Sequence, residues 1–334
     1  MIPYGPYGGV EPLHPLLMLL AALALDALAG DRLWRFLPHP VKLIGGVIGA
    51  LDRKLNRERR SEADRRVRGT VVMLLVVGGA FALGWQVARL TAAVEYGWVL
   101  ELVLTTALLA QRSLFDHVRA VAGGLRQSLV DGRRAVAHIV GRDPEQLDDH
   151  GVARAAIESC AENFSDAVVA PVFWYVLLGF PGLLAYKAAN TLDSMLGNTT
   201  PRYKAFGWAS ARFDDLVNLA PARLSGLFLA LAAFFVPHAR PAKAMRVMLK
   251  DARNHRSPNS GWPEAAMAGA LDLALAGPRA YPGVVIKDRW IGDGRARATT
   301  DDILNALRLY AVACLINAGA VVFMLWLLAI KGLA

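Results

Sequence analysis

Long apolar segments alternate in this sequence with short segments that are dense in charged and amide side chains. Between residues 154 and 223 the chain reads RAAIESCAENFSDAVVAPVFW, then YKAANTLDSMLGN, then FGWASARFDDLVNLAPAR. Charged groups beside lipid are costly unless they are paired, hydrated or bound to a ligand. The polar segments therefore predict a functional site that is held against a membrane.

Six apolar segments are candidate membrane spans. They cover residues 13–29, 70–87, 98–110, 167–186, 222–236 and 309–330. A helix needs about 17–25 residues to cross the hydrocarbon core, and the second and last segments qualify comfortably. The third and fifth are short enough to be tilted, re-entrant or buried. The chain is 55% hydrophobic and only 19% charged, against about 25% charged in soluble domains, and we expect an all-α, polytopic integral membrane protein.

Basic residues crowd the link between the first two apolar segments. In a chain of formal net charge +9, this link carries Arg53, Lys54, Arg57, Arg59, Arg60, Arg65, Arg66 and Arg68. Arg and Lys beside a span mark a cytoplasmic loop. A basic run can also indicate nucleic-acid binding, but this one abuts lipid, lacks interleaved aromatic residues and alternates with acidic residues. We expect it to set the membrane topology, and we expect no nucleic-acid partner.

The N-terminal segment argues against a cleaved signal peptide, and the cysteine and histidine patterns argue against a disulfide framework and a structural zinc. No basic residue precedes the first apolar segment and no small-residue cleavage site stands out, so we expect residues 13–29 to be a retained helix and not a signal peptide. The two cysteines, Cys160 and Cys314, lie far apart and favour neither a disulfide framework nor a CxxC site. The seven histidines show no HExxH spacing, which argues against a structural zinc, and His39 is expected to shape a turn between two prolines.

Three polar regions separate the apolar segments, at residues 30–69, 111–166 and 238–309, and the last two are substantial loops. Apolar residues recur at helical spacing from Leu114 to Leu129, which predicts an amphipathic helix that residues 141–144 interrupt. Short strands are candidates between residues 275 and 298. We find no internal repeat and expect a single membrane-embedded domain over the whole chain, residues 1–334.

The topology of the middle of the chain stays open. If residues 167–186 cross the membrane, residues 187–221 lie outside, although their Lys and Arg residues oppose the usual bias. If Pro171, Pro181 and Gly182 break the segment into a re-entrant hairpin, the polar motifs stay on the cytoplasmic face. Irregular backbone is tolerated at membrane depth where it is buried in protein or lines a watery cavity. The expected fold class therefore includes re-entrant or broken helices.

Three acidic residues, Glu158, Glu162 and Asp166, recur at spacings of four. On a helix they share one face, where like charges repel each other, and their natural companion is a divalent cation or a basic group. Oxygen ligands of this kind suit Mg²⁺, which often bridges to substrate phosphates. The alternative is a solvated helix end before the apolar segment, with residues 163–166 as a turn.

A polar stripe follows the fourth apolar segment. Lys187, Asn190, Thr191 and Ser194 share a helical face, and Asp193 flanks it. A lysine can hold a phosphate as a point charge, which favours a binding site. The alternative is a lysine that snorkels to the membrane interface, but this does not account for the other polar residues as well.

A second acidic pair lies further along the chain. Asp214 shares a helical face with Asn218, whereas Asp215 shares another with Arg212, and Arg223 follows. Adjacent aspartates could bind a metal, or one of them could pair with Arg212. The alternative to a site is a helix cap with a local salt bridge.

A turn-rich segment, residues 257–264, carries Asn259, Trp262 and Glu264. A loop that ends in a helix cap explains part of it, although Trp-Pro-Glu is an unusual turn. The sequence contains no GxxxxGKS or GxxxxGKT phosphate loop, so any nucleotide is held in another way.

Five of these strings, in this order, resemble one family. They are GDRLWRFLPHPVKLIG, RAAIESCAENFSDAVVAP, YKAANTLDSMLG, FGWASARFDDLVNLAPARL and SPNSGWPEAAMAGAL. They look like the membrane-bound adenosylcobinamide-phosphate synthases of cobalamin biosynthesis, over about residues 26–292. Phe164, Ala167 and residues 198–200 depart from the family pattern, but no carboxylate is lost.

The resemblance implies an ATP-dependent acid–amine ligase that is a multi-pass protein of the cell (inner) membrane. It implies that the free propionate of adenosylcobyrate is joined as an amide to (R)-1-amino-2-propanol or its O-phosphate, giving adenosylcobinamide or its phosphate. The corrinoid is then a substrate, ATP and Mg²⁺ are the expected cofactors, and the lipid bilayer and other enzymes of the pathway are expected partners. A carboxylate is a poor electrophile, so an acyl phosphate is the expected activated form.

With this reaction in view, the polar residues fall into three sets. The expected catalytic residues, with Glu158 or Glu264 as the base, are Glu158, Glu162, Lys187, Asp193 and Glu264. The expected substrate-binding residues are Asn163, Ser165, Asn190, Thr191, Ser194, Arg212, Asn218, Arg223, Asn259 and Trp262. The expected metal ligands are Asp166, Asp214 and Asp215.

Two alternatives come from other classes. An intramembrane Mg-dependent prenyltransferase-like enzyme would use acid-rich motifs similar to Asn190/Asp193 and Asp214/Asp215/Asn218, but it predicts more long spans than this chain offers. A transporter with charged midplane residues predicts repeated halves with paired broken helices, which we do not find.

Overall fold

The computed structural model describes residues 14–30, 40–141, 144–277, 279–281, 284–286 and 289–331. In these residues the secondary structure is helical apart from turns and four short strands, which confirms the all-α expectation. His39, which was expected to shape a turn, lies outside the described residues.

The helices follow closely on one another along the chain. They are α1 (Pro15–Ala29), α2 (Pro40–Leu55), α3 (Glu62–Ala92), α4 (Gly97–Leu108), α5 (Gln111–Gln127), α6 (Leu129–Val136), α7 (Asp149–Phe164), α8 (Ala170–Leu196), α9 (Trp208–Val217), α10 (Leu219–Ala232), α11 (Pro241–Asp251), α12 (Gly261–Leu271) and α13 (Thr300–Ile330). A π turn, Ser165–Val169, joins α7 to α8, and a 3-10 turn, Ala252–Asn254, follows α11. The strands are β1 (Leu275–Ala276), β2 (Arg279–Tyr281), β3 (Val284–Ile286) and β4 (Trp290–Ile291).

Four helical segments in the described part of the chain are long and apolar enough to cross a membrane. They are α3, α4 with α5 (Gly97–Gln127), α7 through α8 (Asp149–Leu196), and α13. A fifth passes the same test when α9 and α10 are taken together. The chain is therefore a multi-pass membrane protein with broken helices.

The predicted spans differ from the helices mainly at their ends. Segments 70–87 and 309–330 lie inside α3 and α13, as expected. Segment 98–110 reaches spanning length only together with α5, and α10 ends four residues before the predicted end of segment 222–236. Helix α1 forms as expected, but with 15 residues it is shorter than a usual span.

The chain divides into two compact units, and each is described by itself. Unit one comprises residues 1–110, 170–218 and 321–334. In it α3 packs along α8, and a Cβ added to Gly84 would lie only 2.7 Å from Cα of Pro181. Glycine at this position therefore lets the two helices approach closely. One apolar core of this unit is formed by Ile48, Val72, Met73, Val76, Ala188, Leu192, Leu196, Phe206 and Ala209.

Helix α8 is broken, as the sequence predicted. The break lies at Gly179, whose φ of 66° is not helical, and Pro181 follows inside the helix. Proline has no backbone N–H and cannot donate to the carbonyl of Leu177, while glycine adopts a positive φ at little cost. Of the other two expected breaking residues, Pro171 lies in the first turn of α8, where proline is tolerated, and Gly182 keeps a helical backbone.

Unit two comprises residues 111–169 and 219–320. Helix α12 packs on α7, α10 and α11 and is buried along most of its length. A Cβ on Gly269 would lie 2.6 Å from the carbonyl oxygen of Lys243. The run of alanine and glycine in α12 therefore lets the neighbouring helices pack closely around it.

The amphipathic helix predicted around residues 114–129 ends earlier than expected. Helix α5 ends at Gln127, and Oγ of Ser128 accepts a hydrogen bond from the backbone N–H of Asp131 at 3.1 Å, which caps α6. A serine side chain that satisfies an otherwise unpaired N–H stabilises a new helix start. The helical pattern of apolar residues continues across this cap, so it does not reveal the break.

Unit two also contains the short strands that the sequence suggested. β1 pairs antiparallel with β4, and β2 pairs antiparallel with β3. These are two separate two-stranded sheets between α12 and α13. Because β2 and β3 lie between β1 and β4 in the chain, we call the four strands the β-hairpin and the β1–β4 pair its base. Beyond this ladder, Leu273 forms an isolated bridge with Arg295.

Candidate functional site

The end of α8 and the end of α9 bring a polar group together in unit one. We call Lys187, Asn190, Asp193, Asp214 and Asn218 the α8–α9 cluster. Helix α9 packs against α8, because their apolar faces share the core described above. The cluster thus contains five of the residues that the sequence singled out.

Asn218 orients Asp214 within this cluster. Its side-chain amide donates to Oδ2 of Asp214 at 2.9 Å, and its Oδ1 accepts from the hydroxyl of Tyr186 at 3.0 Å. Asn218 also ends α9, where its N–H donates to the carbonyl of Asp214 at 3.1 Å. The sequence did not single out Tyr186, which lies directly before Lys187 and links α8 to the end of α9.

One oxygen of Asp214 has a different environment. Asp214 is buried, and its Oδ1 has no hydrogen-bond partner among the described residues. From α8, Asn190 approaches this carboxylate as a hydrogen-bonding side chain, and Asp193 approaches it as a second negative charge. A buried carboxylate beside a second carboxylate is unfavourable unless its charge is compensated, so this pair could hold a cation.

This carboxylate pair fits Mg²⁺. In the described part of the chain, no three His, Cys, Asp or Glu side chains converge as they would in a protein-only metal site. Mg²⁺ does not require such a site, because it is usually held by one or two carboxylates together with substrate phosphates and water. Asp214 and Asp193 supply that number of carboxylates.

Asp215, the other expected metal ligand of α9, is engaged differently. Its Oδ2 lies 3.1 Å from NH1 of Arg212, one helical turn away, and the Arg212 side chain is 65% exposed. The pairing that the sequence left open as an alternative therefore forms. The geometry favours Asp214 over Asp215 as a ligand.

The lysine and the hydroxyl residues of α8 have distinct positions. Lys187 is only 8% exposed, which does not fit a lysine that snorkels to water. Thr191 Oγ1 donates to the carbonyl of Lys187 at 2.6 Å, and Ser194 Oγ donates to that of Asn190 at 2.9 Å. These two hydroxyl groups thus satisfy their donors on their own helix.

In unit two, α7 and the first turn of α12 carry a second polar group. We call Glu158, Glu162, Asn259, Trp262 and Glu264 the α7–α12 cluster. Glu162 Oε1 accepts from the hydroxyl of Ser260 at 3.0 Å, which joins the last turn of α7 to the start of α12. Ser260 was not singled out from the sequence, since only the tertiary fold brings it to Glu162.

Glu264 lies in the first turn of α12 and is 3% exposed. Its Oε1 is 3.6 Å from Nε2 of His255, a histidine that the sequence did not single out. The turn before α12 is built by Ser257, whose Oγ accepts from the backbone N–H groups of Asn259 and Ser260, both at 3.2 Å. This turn is the loop that the sequence suggested for residues 257–264.

Glu158 is buried, and its Oε1 accepts from the backbone N–H of Ala276 at 2.8 Å. This partner is the end of strand β1, at the base of the β-hairpin. Glu158 is therefore bound to the main chain of a segment 118 residues away in the sequence.

Asp166 and Ser165 lie in the π turn that follows α7. The shared face expected for Glu158, Glu162 and Asp166 rests on regular α-helical spacing, which ends at Phe164. Ser165 Oγ is buried with no hydrogen-bond partner among the described residues. π turns occur frequently at functional sites, and no pattern in the sequence indicated this one.

The two remaining expected residues of unit two are engaged within it. Asn163 turns its amide back to the carbonyl of Ser159 at 2.9 Å. The Arg223 guanidinium lies 4.6 Å from the ring centroid of Trp262 and also donates to the carbonyl of Leu219 at 2.6 Å. This cation–π contact joins α10 to α12.

The expected site residues are thus distributed over both units. Unit one contains Lys187, Asn190, Thr191, Asp193, Ser194, Arg212, Asp214, Asp215 and Asn218, and unit two contains Glu158, Glu162, Asn163, Ser165, Asp166, Arg223, Asn259, Trp262 and Glu264. Within each unit the sequence-predicted residues gather on neighbouring helices.

Long apolar helices that carry clusters of carboxylate and amide side chains define the class, a multi-pass membrane protein. Residues 19–310 match the family model described as CobD/Cbib protein. The chain belongs to this family, that of the adenosylcobinamide-phosphate synthases of cobalamin biosynthesis.

Relatives support the same assignment over nearly the full length. The chain is 54% identical over 312 residues to a protein named cobalamin biosynthesis protein CobD from Sinorhizobium sp, covering 92% of this chain and 97% of the relative. Proteins of the same name from Rhizobium meliloti (strain 1021) and Rhodobacter capsulatus are 52% and 46% identical, over 90% and 92% of this chain and 93% and 98% of theirs. No solved structure gives a significant match. The family membership leaves no support for the prenyltransferase or transporter alternatives.

Proposed function

We propose that this synthase joins the free propionate of adenosylcobyrate to (R)-1-amino-2-propanol or its O-phosphate in an ATP-dependent reaction, with residues 1–334 acting as one synthase domain. The observation that carries the proposal is the α8–α9 cluster, where a buried carboxylate oxygen of Asp214 lacks a hydrogen-bond partner among the described residues and Asp193 lies nearby, while the buried Lys187 lies on the same helix as Asp193. This combination suits a phosphate with its cation.

The chemistry follows from the weakness of a carboxylate as an electrophile. A propionate oxygen attacks the γ-phosphorus of ATP, the bond from that phosphorus to the β–γ bridging oxygen breaks, and ADP leaves. The amine nitrogen then attacks the carbonyl carbon of the acyl phosphate, inorganic phosphate leaves, and the nitrogen loses a proton. The products are the amide, ADP and phosphate.

The α8–α9 cluster is proposed to serve the phosphoryl step. Mg²⁺, when bound, neutralises charge that develops on the transferred phosphoryl group. Asp214 and Asp193 would hold it, with Asn218 fixing the orientation of the Asp214 carboxylate. Lys187 supplies a fixed positive charge to phosphate oxygens. Such a charge stabilises the transition state most, because negative charge accumulates on those oxygens there. Asp215, paired with Arg212, shapes the end of α9.

Three residues of the α7–α12 cluster, Glu162, Trp262 and Glu264, are proposed to serve the amine and the corrinoid. Glu264 is a buried carboxylate in the first turn of a helix with His255 beside it, and we assign it as the base that takes the proton from the ammonium. Glu162, held by Ser260, is assigned to binding of that ammonium before transfer. Trp262 and Arg223 offer a flat surface with a positive charge, which suits a large conjugated ring with acidic and amide groups.

The experiment uses purified protein in detergent with adenosylcobyrate, aminopropanol phosphate, ATP and Mg²⁺. We expect ADP and phosphate to be released only when both organic substrates are present, in a ratio of one to one with the amide. Release of AMP and diphosphate would contradict the acyl-phosphate route. Amide formation without ATP would refute the proposal.

A further inference from the structure

The base of the β-hairpin in unit two has an unusual backbone. Ala276, the last residue of β1, has a φ of 57°, and Gly292, directly after β4, has a φ of 86°. Both values lie in the left-handed region, which disfavours residues with a Cβ. Ala276 has a Cβ, so its backbone conformation is unfavourable and requires stabilising contacts from its surroundings. Ala276 is also buried.

A buried carboxylate holds the backbone N–H group at each of these two positions. Glu158 Oε1 of α7 accepts from N–H of Ala276 at 2.8 Å, and Asp251 Oδ2 at the end of α11 accepts from N–H of Gly292 at 3.0 Å. Glu158 and Asp251 are each 7% exposed. Hydrogen bonds to an ionised acceptor are stronger than those between neutral groups, so these two contacts can offset the unfavourable backbone conformation.

The hairpin base is in turn bound to α12. The N–H of Leu273 donates to the carbonyl of Ala268 at 2.9 Å, and the N–H of Arg295 donates to that of Asp272 at 3.0 Å. A Cβ on Gly292 would overlap the carbonyl of Leu273 and would lie 3.2 Å from Cβ of Ala268. The base of the hairpin and the last turn of α12 are therefore one tightly packed body.

We propose that Glu158 and Asp251 are positioning residues that clamp the base of this hairpin and thereby fix α12, which carries Trp262 and Glu264. Neither carboxylate transfers a proton. For Glu158 this assigns a role other than the general base that its place in the sequence motif suggested. The kinetic part of the inference rests on the proposed function, whereas the structural part does not.

The clamp and the base role of Glu158 predict opposite results for one substitution. Glu158→Gln keeps an oxygen acceptor at the same reach, so the N–H of Ala276 stays bound, but the amide cannot act as a base near neutral pH. Glu158→Ala removes the acceptor altogether. The clamp requires that Glu158→Gln retain most of the function that Glu158→Ala loses.

Ala276 provides an independent variant. Ala276→Gly relieves the unfavourable left-handed conformation, so the hairpin base depends less on its carboxylate. The double variant Glu158→Ala with Ala276→Gly should therefore recover part of what Glu158→Ala loses. A base lost from the site could not be restored by a glycine in the backbone.

The test measures amide hydrogen exchange in the full-length protein in detergent, in a peptide that covers residues 273–277. We expect exchange there to be at least about tenfold faster in Glu158→Ala than in the wild type, near the wild-type rate in Glu158→Gln, and intermediate in the double variant. A peptide from α5 in the same samples should be unchanged, which shows that the variants are folded.

Kinetics of the same proteins supply the second readout. We expect Glu158→Gln to keep the wild-type pH profile, and Glu158→Ala to raise KM for the corrinoid more than it lowers kcat. Unchanged exchange at residues 273–277 in Glu158→Ala, or a Glu158→Gln enzyme that is folded, protected and inactive, would overturn the clamp. If no variant and no wild type makes the amide, the exchange result still decides the clamp while the proposed function fails separately.

Discussion

The side-chain amide of Asn218 donates to Oδ2 of Asp214 at 2.9 Å, while Oδ1 of the same carboxylate is buried without a partner among the described residues. Asn218 thus orients one oxygen, and the other is the one proposed to bind Mg²⁺. Asp215, the next residue, is instead paired with Arg212 at 3.1 Å. Two adjacent aspartates therefore have separable roles.

The first prediction compares these neighbours. Asp214→Asn should lower amide formation by about a hundredfold or more, because a ligand of a catalytic Mg²⁺ stabilises the transition state by several kcal/mol. Asp215→Asn removes a partly exposed ion pair, which contributes only about 0.2–1 kcal/mol to stability, and should stay far more active. Steady-state rates at several Mg²⁺ concentrations distinguish them. Equal losses in both variants would contradict the assignment of Asp214.

Lys187 provides the second prediction. Lys187→Met keeps the apolar stem in its buried position on α8 but removes the charge, so we expect a lower kcat and a higher KM for ATP with unchanged membrane insertion. Lys204, an exposed lysine of the same unit, serves as the matched control, and Lys204→Met should behave as the wild type. Normal ATP kinetics in Lys187→Met would exclude a phosphate-binding role.

The third prediction concerns packing of α3 on α8. Gly84→Ala should destabilise the protein by about 1–3 kcal/mol, because the new Cβ would lie 2.7 Å from Cα of Pro181. Gly79→Ala, five residues earlier in α3, meets nothing within 4 Å and should be neutral or stabilising, since alanine favours a helix over glycine. Thermal unfolding in detergent measures both. A Gly84→Ala protein as stable as Gly79→Ala would mean that the two helices do not approach in this way.

Acid stability supplies the fourth prediction. Lys243 donates to Asp272 at 2.5 Å and pairs with Asp293 at 2.6 Å, and these contacts hold the pKa of each carboxyl below its usual range. A lowered folded-state pKa contributes stability that is complete above the unfolded-state value of about 3.9 and is lost as pH falls through the folded-state pKa. Lys243→Met should therefore reduce the difference in unfolding temperature between pH 7 and pH 3, while Lys204→Met should leave that difference unchanged. If the unfolding temperature fell by the same amount between pH 7 and pH 3 in the wild type and in Lys243→Met, Lys243 would not be what stabilises the charged forms of these two carboxyl groups.

Much of the fold follows from local chemistry in the sequence. The apolar runs in α3 and α13 are long enough to fix those helices, and Pro181 indicates a break in α8 because it lacks a backbone N–H. The break lies at Gly179 and not at the proline, since the residue that adopts the positive φ is set by packing. The Ser128 cap has a local signature, a serine three residues before Asp131, which the continuing apolar pattern obscures.

The site could be predicted only as a set of residues. The carboxylates, Lys187 and the amide residues stand out because they are polar in apolar surroundings. Their partners do not, because Glu158 meets an N–H 118 residues away and Glu162 meets Ser260 98 residues away. Contacts at such separations depend on tertiary packing, and a main-chain partner such as Ala276 has no side-chain signal at all.

The central claim is that the propionate is activated as an acyl phosphate, and transfer of an oxygen isotope tests it most directly. Adenosylcobyrate carrying ¹⁸O in its free carboxylate is turned over with ATP, Mg²⁺ and aminopropanol phosphate, and the released phosphate is analysed by mass spectrometry. One ¹⁸O atom should appear in inorganic phosphate for each amide formed, because the carboxylate oxygen that attacks phosphorus leaves with it. Inorganic phosphate without the label, or label found in AMP, would contradict this mechanism.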